Sequence, residues 1–291
     1  MSELIKRPAH VALVVPDLDA SVNWATTVMG MRVTRRDGGE AYMTHADCHH
    51  SLQYIEGPEA ALDHVALEAH DGAALDALTE RLRELGVELL ASTPQEHGID
   101  RAVRFRAPAG HVIEVFTGME SAGPVHTGSA VQPRKFAHPM LTALESGPTV
   151  AFFLDVLGFR LSDDVGDGVL VFMRCNPDHH GVGVGLGPRT GLNHYAWEVE
   201  SLATLGALGD VLARNGGAFV WGPGRHGAGR NIFTYHLDPA GAMVEYCADM
   251  YRVWDEATYV PGRWSIEDPT FANLWGPGPP PVMMDTATPQ R

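Results

Sequence analysis

The chain of 291 residues repeats itself, and this repeat constrains its fold more than any other feature. The segment PAHVALVVPDLDASVNWATTVMGMRV, which starts at Pro8, is matched by FAHPMLTALESGPTVAFFLDVLGFRL, which starts at Phe136. Each segment opens with a histidine in a strand-like run and continues through an amphipathic stretch to a glycine. Equivalent landmarks lie 128 to 131 residues apart: His10 and His138, Gly30 and Gly158, His64 and His194, Gly86 and Gly216, Glu114 and Glu245. The sequence therefore predicts a tandem duplication of two domains of ordinary size.

Within each copy, the residue pattern predicts a strand, a helix, several strands, a second helix and several strands. In ALDALTERLRELG, Leu75, Leu78, Leu82 and Leu85 recur at helical spacing before Gly86, which is typical of an amphipathic helix with a C-terminal glycine. Runs rich in aromatic and β-branched residues, such as HYAWEVE, predict strands. We therefore expect an α+β fold in which paired βαβββ modules form two concave mixed sheets, one in each domain.

Composition shifts predict where the domains end. The segment MESAGPVHTGSAVQP is small, polar and rich in Pro and Gly, as linkers are, and the last forty residues are aromatic and proline-rich without a clear period. We expect this last part to be an ordered arm over the second domain that ends in a loose terminus. The expected boundaries are an N-terminal domain at 1–118, a linker at 119–133, a C-terminal catalytic domain at 134–250 and an arm at 251–291.

Charge and cysteine usage exclude several classes of partner. A formal charge of −15 and a pI near 5.3 argue against nucleic-acid binding, which requires a basic surface. The chain has no apolar run of membrane-spanning length, and MSELIKRPAHVALVV lacks the apolar core of a secretion signal, so we expect no membrane partner. Cys48, Cys175 and Cys247 form no CxxC pair and are expected to be reduced thiols of a cytoplasmic protein.

Three residues of the second copy predict a metal site. His138 lies in the opening strand, His194 in a central strand and Glu245 in the last strand, so one sheet could bring them together. Two imidazoles and one carboxylate leave three adjacent coordination positions open, which suits iron(II) that must hold a bidentate substrate and dioxygen. Zinc or manganese could occupy the same ligands. A single histidine on a strand is more often structural than a metal ligand, so the prediction depends on the three residues taken together.

The second copy resembles the two-domain, or type I, extradiol ring-cleavage dioxygenases of the vicinal oxygen chelate superfamily, which includes glyoxalase- and bleomycin-resistance-like proteins. The most specific stretch is WGPGRHGAGRNIFTYHLDPAGAMVEYCAD, residues 221–249. In that family the loop GPGRHG supplies a histidine, here His226. Tyr235 follows nine residues later, and the ligand Glu245 follows ten residues after that. The resemblance covers almost the whole chain.

The resemblance also implies a catalytic histidine. CNPDHHGVGV matches the family stretch that carries it, fourteen residues before the second metal ligand, and this spacing selects His180. His179 is the alternative, because adjacent strand residues face opposite sides and only one of them can face the site. An imidazole can take and return a proton near neutral pH, and a phenol such as Tyr235 can donate or accept a hydrogen bond.

The implied function is an Fe(II)-dependent enzyme, or a Mn(II)-dependent one, that inserts both atoms of O2 into a catechol-type ring beside the diol. The product is a ring-opened semialdehyde or keto acid. His180, His226 and Tyr235 are implied to be catalytic, with the latter two also binding the catechol substrate, and the family implies a homo-oligomer. Two alternatives stay open. One is a metal-dependent isomerase or thiol transferase of the same fold, and the other is a metal-free protein that binds small aromatic molecules.

The first copy departs from the family pattern. It keeps His10, His64 and Glu114, with His50 fourteen residues before His64, but Arg104 stands where the second copy has tyrosine. Its loop reads STPQEHGID and lacks GPGRHG. An arginine that points inward would repel a metal cation. We therefore expect a degenerate site in the first domain.

Trp221 is expected to bind part of the substrate. Relatives that recognise carboxylate-bearing catechols place an arginine at this position, and an indole cannot make the bidentate contacts of a guanidinium. Trp221 offers an apolar wall, to which Trp264, Phe271 and Trp275 of the arm are expected to add. This predicts a neutral or aryl-substituted catechol. The alternative is that Trp221 only packs under the arm.

Overall fold

Each half of the chain forms two βαβββ modules that share one sheet. The structure is a computed structural model that describes residues 2–125, 127–285 and 287–291. The elements of the first half are β1 (Ile5–Val15), α1 (Leu18–Thr27), β2 (Arg32–Asp37), β3 (Glu40–Thr44), β4 (Leu52–Glu56), β5 (Ala61–Ala69), α2 (Gly72–Glu84), β6 (Leu89–Ala91), β7 (Ile99–Arg106) and β8 (Val112–Met119).

The second half repeats this order and adds the elements of the tail. They are β9 (Lys135–Ala143), α3 (Gly147–Ala151), a π-helical turn (Phe152–Val156), β10 (Arg160–Val165), β11 (Leu170–Arg174), β12 (Val182–Leu186), β13 (Gly191–Glu198), α4 (Leu202–Arg214), β14 (Trp221–Arg225), β15 (Ile232–Leu237), β16 (Met243–Ala248), β17 (Gly262–Trp264), a 3-10 turn (Pro269–Phe271), α5 (Val282–Asp285) and β18 (Thr288–Pro289).

The two sheets have the same topology. The first has the strand order β2-β3-β4-β1-β5-β8-β7-β6, and the second has β14-β15-β16-β13-β9-β12-β11-β10, extended by β17. In both, an antiparallel pair of opening strands, β1 with β5 and β9 with β13, joins the two modules at the centre. The predicted α+β fold of duplicated βαβββ modules with mixed sheets is confirmed.

Helices cover one face of each sheet because their apolar residues recur at three- and four-residue spacing. In α2 the buried side chains are Leu75, Leu78 and Leu82, and Asp71 caps the helix by accepting from the backbone N–H of Ala74. Leu85, at the C-cap, is exposed, because the helix ends before it reaches the sheet again. In α4 the equivalent buried residues are Leu205, Leu208 and Leu212. The opposite face of the second sheet is therefore free to carry polar groups.

The tail lies against the second domain and ends at the domain junction. Strand β17 pairs with β10, and β18 pairs with the start of β13. The terminus was expected to be loose, but Gln290 Nε2 donates to the carbonyls of Leu62 and Asp63 at 3.0 and 2.8 Å, and Arg291 lies 3.0 Å from the Asp63 carboxylate. These contacts to the first domain are long-range, so the local sequence does not reveal them. Among the helices described, none is long and apolar enough to cross a membrane.

Candidate active site

Three neighbouring strands of the second sheet carry the predicted metal ligands. His138 lies on β9, His194 on β13 and Glu245 on β16. Ala196 on β13 is the cross-strand partner of both His138 and Glu245, and His194 stands two residues before it. Alternate residues of a strand share a face, so all three side chains point to the same side of the sheet. The small side chain of Ala196 leaves room between them.

The donor atoms of these three residues are close enough to hold one ion. Oε2 of Glu245 lies 3.2 Å from Nε2 of His138 and 3.1 Å from Nε2 of His194. One donor atom from each residue lies within 4.8 Å of the other two. A six-coordinate ion with bonds of about 2.1 Å places adjacent ligand atoms about 3.0 Å apart. Two imidazoles and one carboxylate on one side of the ion therefore fit iron(II) or manganese(II).

Two asparagines orient the ligands. Asn193 donates through Nδ2 to the carbonyl of Met283, so its Oδ1 faces His194 and accepts from Nδ1–H of that ring at 2.7 Å. This leaves the lone pair of His194 Nε2 free for a metal. Asn231 Nδ2 donates to Oε1 of Glu245 at 3.0 Å. Burial raises the pKa of Glu245, but contacts with the two ligand histidines bring it well below its usual range, so the side chain is an anionic donor.

The predicted site residues of the second domain all line one cavity of 380 Å³. They are His138, His180, His194, Trp221, His226, Tyr235 and Glu245. Much of the remaining lining is apolar and includes Met140, Leu170, Phe172, Leu186 and Phe271. The structure thus brings together the predicted metal ligands, the predicted catalytic residues and Trp221.

His226 and Tyr235 form a hydrogen-bonded pair in this cavity. Nδ1–H of His226 donates to the carbonyl of Ala272, so Nε2 accepts from the Tyr235 hydroxyl, 3.2 Å away. The indole of Trp221 stacks on the Tyr235 ring, with centroids 5.4 Å apart and an interplanar angle of 19°. Burial, followed by the charge of Glu245, raises the pKa of Tyr235 well above its usual range. The phenol is therefore protonated and its oxygen lone pairs are available to a ligand.

Of the two histidines that the sequence left open, His180 is the one that lines this cavity. It lies in the loop between β11 and β12, and its ring centroid is 4.3 Å from that of His138 and 4.8 Å from that of Phe172. Nδ1 of His180 lies 3.0 Å from Nδ1 of His179. Burial, followed by the neighbouring His138, lowers the pKa of His180 well below its usual range, so the ring is neutral.

The first domain holds a similar cluster with two replacements. Glu96 stands 130 residues before His226, and Arg104 stands 131 residues before Tyr235. In place of the histidine–tyrosine hydrogen bond there is an ion pair, with Nη2 of Arg104 3.0 Å from Oε1 of Glu96. The guanidinium of Arg104 therefore points into the cluster, which is the orientation in which it would repel a metal cation.

This ion pair engages the residues that would otherwise hold a metal. The carboxylate of Glu96 lies 2.9 Å from Nε2 of His10 and 2.6 Å from Nε2 of His64. Arg104 also binds Glu114, with Nη2 2.7 Å from Oε2. His10, His64, Glu96 and Glu114 offer donor atoms within 4.8 Å of one another, but the guanidinium of Arg104 binds both carboxylates and supplies the positive charge that a metal ion would otherwise bring.

Several residues around the site are not the ones that the sequence predicts. Asn193 and Asn231 carry no signature in the sequence, because an asparagine beside a ligand can be recognised only once the side-chain directions are known. Of the three aromatic residues of the arm, Phe271 lines the cavity. Trp264 instead lines a second cavity, and Trp275 is about half exposed. The expectation for these two was wrong: Trp264 precedes the stretch 266–283 that passes over the metal site, and the ring of Trp275, within that stretch, packs on Arg225 instead.

Comparison with known proteins places the chain in a family. Residues 7–115 and 135–246 each match the Glyoxalase/Bleomycin resistance protein/Dioxygenase superfamily. The chain therefore belongs to this superfamily and carries its domain twice, which confirms the resemblance seen in the sequence.

Individual relatives cover nearly the full length. Metapyrocatechase 2 of Cupriavidus necator is 28% identical, with 93% of this chain and 89% of the relative covered. The manganese-dependent 2,3-dihydroxybiphenyl 1,2-dioxygenase of Geobacillus genomosp. 3 is 25% identical, with coverage of 94% and 95%. The crystal structure of a Mn(II)-bound glyoxalase from Novosphingobium aromaticivorans is 29% identical and aligns with a TM-score of 0.88 over 97% of this chain and 94% of that chain.

Proposed function

We propose that the protein is an extradiol dioxygenase that cleaves a catechol-type ring beside the diol, with His138, His194 and Glu245 as the ligands of iron(II) or manganese(II). The observation that carries this proposal is the convergence of these ligands with His180, His226 and Tyr235 on one cavity. Relatives named as ring-cleaving dioxygenases, one of them manganese-dependent by name, support it.

The roles of the side chains follow from their hydrogen bonds. When bound, the metal ion would lower the pKa of a catechol hydroxyl and hold the diol and dioxygen side by side. Tyr235 donates to His226 and offers its oxygen lone pairs to the second hydroxyl of the diol. His180, neutral and facing the cavity, takes a proton from the substrate and returns it to an oxygen atom as the ring opens. Both atoms of O2 end in the product, so no external reductant is consumed.

One experiment separates this activity from its alternatives. The protein is purified anaerobically, its metal content is measured, and oxygen uptake is then followed with a panel of catechols. Bound iron or manganese together with oxygen uptake supports the proposal. Bound metal without uptake would point to a non-oxygenase such as the Mn(II)-bound glyoxalase of similar fold. Absence of metal would point to a binding protein.

The lining of the cavity supports a neutral or aryl-substituted catechol as the substrate. Among the described residues that line it there is no lysine or arginine, and the acidic Glu267 lies at its arm side. Arg230 lies in the other cavity, and Arg263 is exposed and paired with Asp164. A carboxylate on the substrate would be buried without a cation, which is costly. Trp221 stacks on Tyr235 and offers an aromatic surface in its place.

Replacing Trp221 by arginine is expected to move the preference toward a carboxylate-bearing ring. The shift in relative kcat/KM corresponds to a charge-assisted hydrogen bond, about 1.5–3 kcal/mol. The measurement compares catechol, an aryl-catechol and 3,4-dihydroxyphenylacetate on the wild type and Trp221→Arg. Trp254→Arg is the charge-matched control, because Trp254 is exposed and lies outside the cavity. A wild type that prefers 3,4-dihydroxyphenylacetate would contradict the assignment of an apolar pocket.

The first domain is proposed to be a scaffold in which the Glu96–Arg104 ion pair replaces a metal. This predicts one metal ion per chain in the wild type. The double substitution Glu96→His with Arg104→Tyr restores the second domain's pair and is expected to raise the metal content to two per chain. The matched control is Arg104→Lys alone, which keeps a cation beside Glu96 and Glu114 and should stay at one. Two ions per chain in the wild type would contradict this role.

The oligomeric state is proposed from exposed apolar side chains, and the cellular location from the cysteines. Large apolar side chains are exposed at Leu144, Trp254, Val260 and Trp275, and these support a homo-oligomer in which some of them are covered. The three cysteines are unpaired, which suits the reducing cytoplasm. Light scattering at several protein concentrations measures the oligomeric state, and a monomer throughout would contradict the first of these proposals.

A further inference from the structure

Two adjacent histidines separate two cavities of the second domain. His180 lines the 380 Å³ cavity that holds the metal ligands, whereas His179 lines a second cavity of 500 Å³ beside the arm. Their Nδ1 atoms are 3.0 Å apart, so a hydrogen bond joins the rings between the two cavities. Only one of the two nitrogens can carry the shared proton, and the neighbours of His179 decide which.

Asp163 is that deciding neighbour. Its Oδ2 lies 3.4 Å from Nε2 of His179 and accepts from the indole N–H of Trp264 at 2.9 Å, while its Oδ1 accepts from the backbone N–H of Gly262 at 2.7 Å. Burial raises the pKa of Asp163, but hydrogen bonds from His179, Trp264 and Gly262 bring it below its usual range. The carboxyl is therefore ionised and can only accept hydrogen bonds.

This acceptor fixes the direction of the two hydrogen bonds that link Asp163 to His179 and His179 to His180. His179 donates Nε2–H to Asp163, so Nδ1 of His179 carries a lone pair. That lone pair accepts Nδ1–H of His180, which leaves the lone pair of His180 on Nε2. In the first domain, Nε2 of the equivalent His50 faces the centre of the histidine–glutamate cluster, 3.0 Å from Glu96. The equivalent nitrogen of His180 is thus the one directed to the metal side.

A glycine holds the two rings in this arrangement. Gly229 has φ of +79°, and a Cβ built on it would lie 3.1 Å from Cε1 of His180 and 3.2 Å from Nδ1 of His179. The backbone of the loop that carries His226 therefore packs directly over the joined rings. A larger residue would strain the loop and push the rings apart.

The first domain lacks the acceptor although it keeps the two rings. His49 and His50 are joined through their Nδ1 atoms at 2.9 Å. In the aligned strands MRVTRRD and FRLSDDV, however, Arg35 stands where the second domain has Asp163. A cation cannot accept a hydrogen bond from the outer histidine. The acceptor is therefore specific to the domain that carries the working metal ligands.

We propose that Asp163 and His179 are positioning residues that keep the proton of His180 on Nδ1 and present its Nε2 lone pair to the substrate. The inference rests on the proposed function, in which His180 is the proton acceptor. A histidine of the opposite tautomer would direct N–H at the substrate and could not take a proton.

The test is Asp163→Asn. Its amide N–H can donate to Nε2 of His179, which would reverse the direction of both hydrogen bonds. The proton of His180 then moves to Nε2, and kcat is expected to fall about 10²-fold or more, with metal content and KM for catechol little changed. Trp264→Phe is the control, because it removes the side-chain hydrogen bond from Trp264 of the arm to Asp163 but leaves the carboxylate and its contact with Gly262. It should keep wild-type kcat. An equal loss in Trp264→Phe would mean that Asp163 only anchors the arm.

A matched pair of histidine substitutions and a spectrum complete the test. His179→Asn should lower kcat, whereas His49→Asn at the equivalent place of the first domain should not. Nitrogen-15 NMR of the zinc-loaded protein reads the tautomer of His180 without any turnover. Nδ1–H is expected in the wild type and Trp264→Phe, and Nε2–H in Asp163→Asn. Nε2–H in the wild type would overturn the inference, whether or not the protein is a dioxygenase.

Discussion

Replacing His194 or Glu245 by alanine is expected to abolish both metal binding and ring cleavage. Each residue supplies one of the three donor atoms that lie within 4.8 Å of one another, and the two donors that remain in either variant hold a divalent ion poorly. Metal analysis of anaerobically purified protein and oxygen uptake with catechol measure the two effects. Equivalent changes in the first domain, His64→Ala and Glu114→Ala, are expected to leave activity largely intact.

A second pair of variants separates loss of the metal from loss of folding. Glu114→Ala removes one carboxylate partner of the partly buried Arg104, which keeps Glu96 as a partner, so the variant is expected to lose stability. Glu114→Gln and Glu245→Gln keep the shape and an acceptor oxygen, and thermal unfolding shows whether each is folded. If metal content falls as much in the first-domain variants as in the second-domain ones, the assignment of the working domain is wrong.

His180→Asn is expected to keep its metal and bind catechol, yet to turn over about 10² to 10⁴ times more slowly than the wild type. Asparagine fills part of the space of the ring but cannot take up a proton near neutral pH. The measurement is kcat at saturating catechol, with the metal content of the same sample.

His50→Asn is the matched control for this change, because His50 occupies the equivalent loop of the first domain and pairs with His49 in the same way. It should turn over normally. Normal turnover in His180→Asn would remove this residue, and the positioning role of His179 behind it, from the mechanism.

The metal ligands could be predicted because the duplication constrains them twice. A histidine on each opening strand and a glutamate on the last strand recur in both copies, and strand pairing then places them on adjacent strands. Only the structure shows the register in which Ala196 pairs with both His138 and Glu245. The repeat alone implies that the three ligands belong to one sheet. The roles of the individual residues stay predictions until the variants are measured.

The surroundings of the ligands could not be predicted for a different reason. Glu96 lies in a loop, STPQEHGID, whose relation to GPGRHG becomes visible only when both side chains are seen against the same histidine positions. The contact of Asp163 with His179 joins β10 to the loop between β11 and β12, and no sequence motif around either residue predicts it. The arm was recognised as a covering segment, but which of its aromatic residues reach the cavity depends on its path across the domain.

Cleavage of an aryl-catechol under ¹⁸O2 tests the central claim most directly. The metal-loaded protein is supplied with the labelled gas, and oxygen uptake and the mass of the product are measured together. One O2 is expected to be consumed per ring opened, with both labelled atoms in a ring-opened semialdehyde or keto acid and no added reductant. A protein that binds its metal through His138, His194 and Glu245 but leaves the ring intact, or yields a product without both labelled atoms, would contradict it.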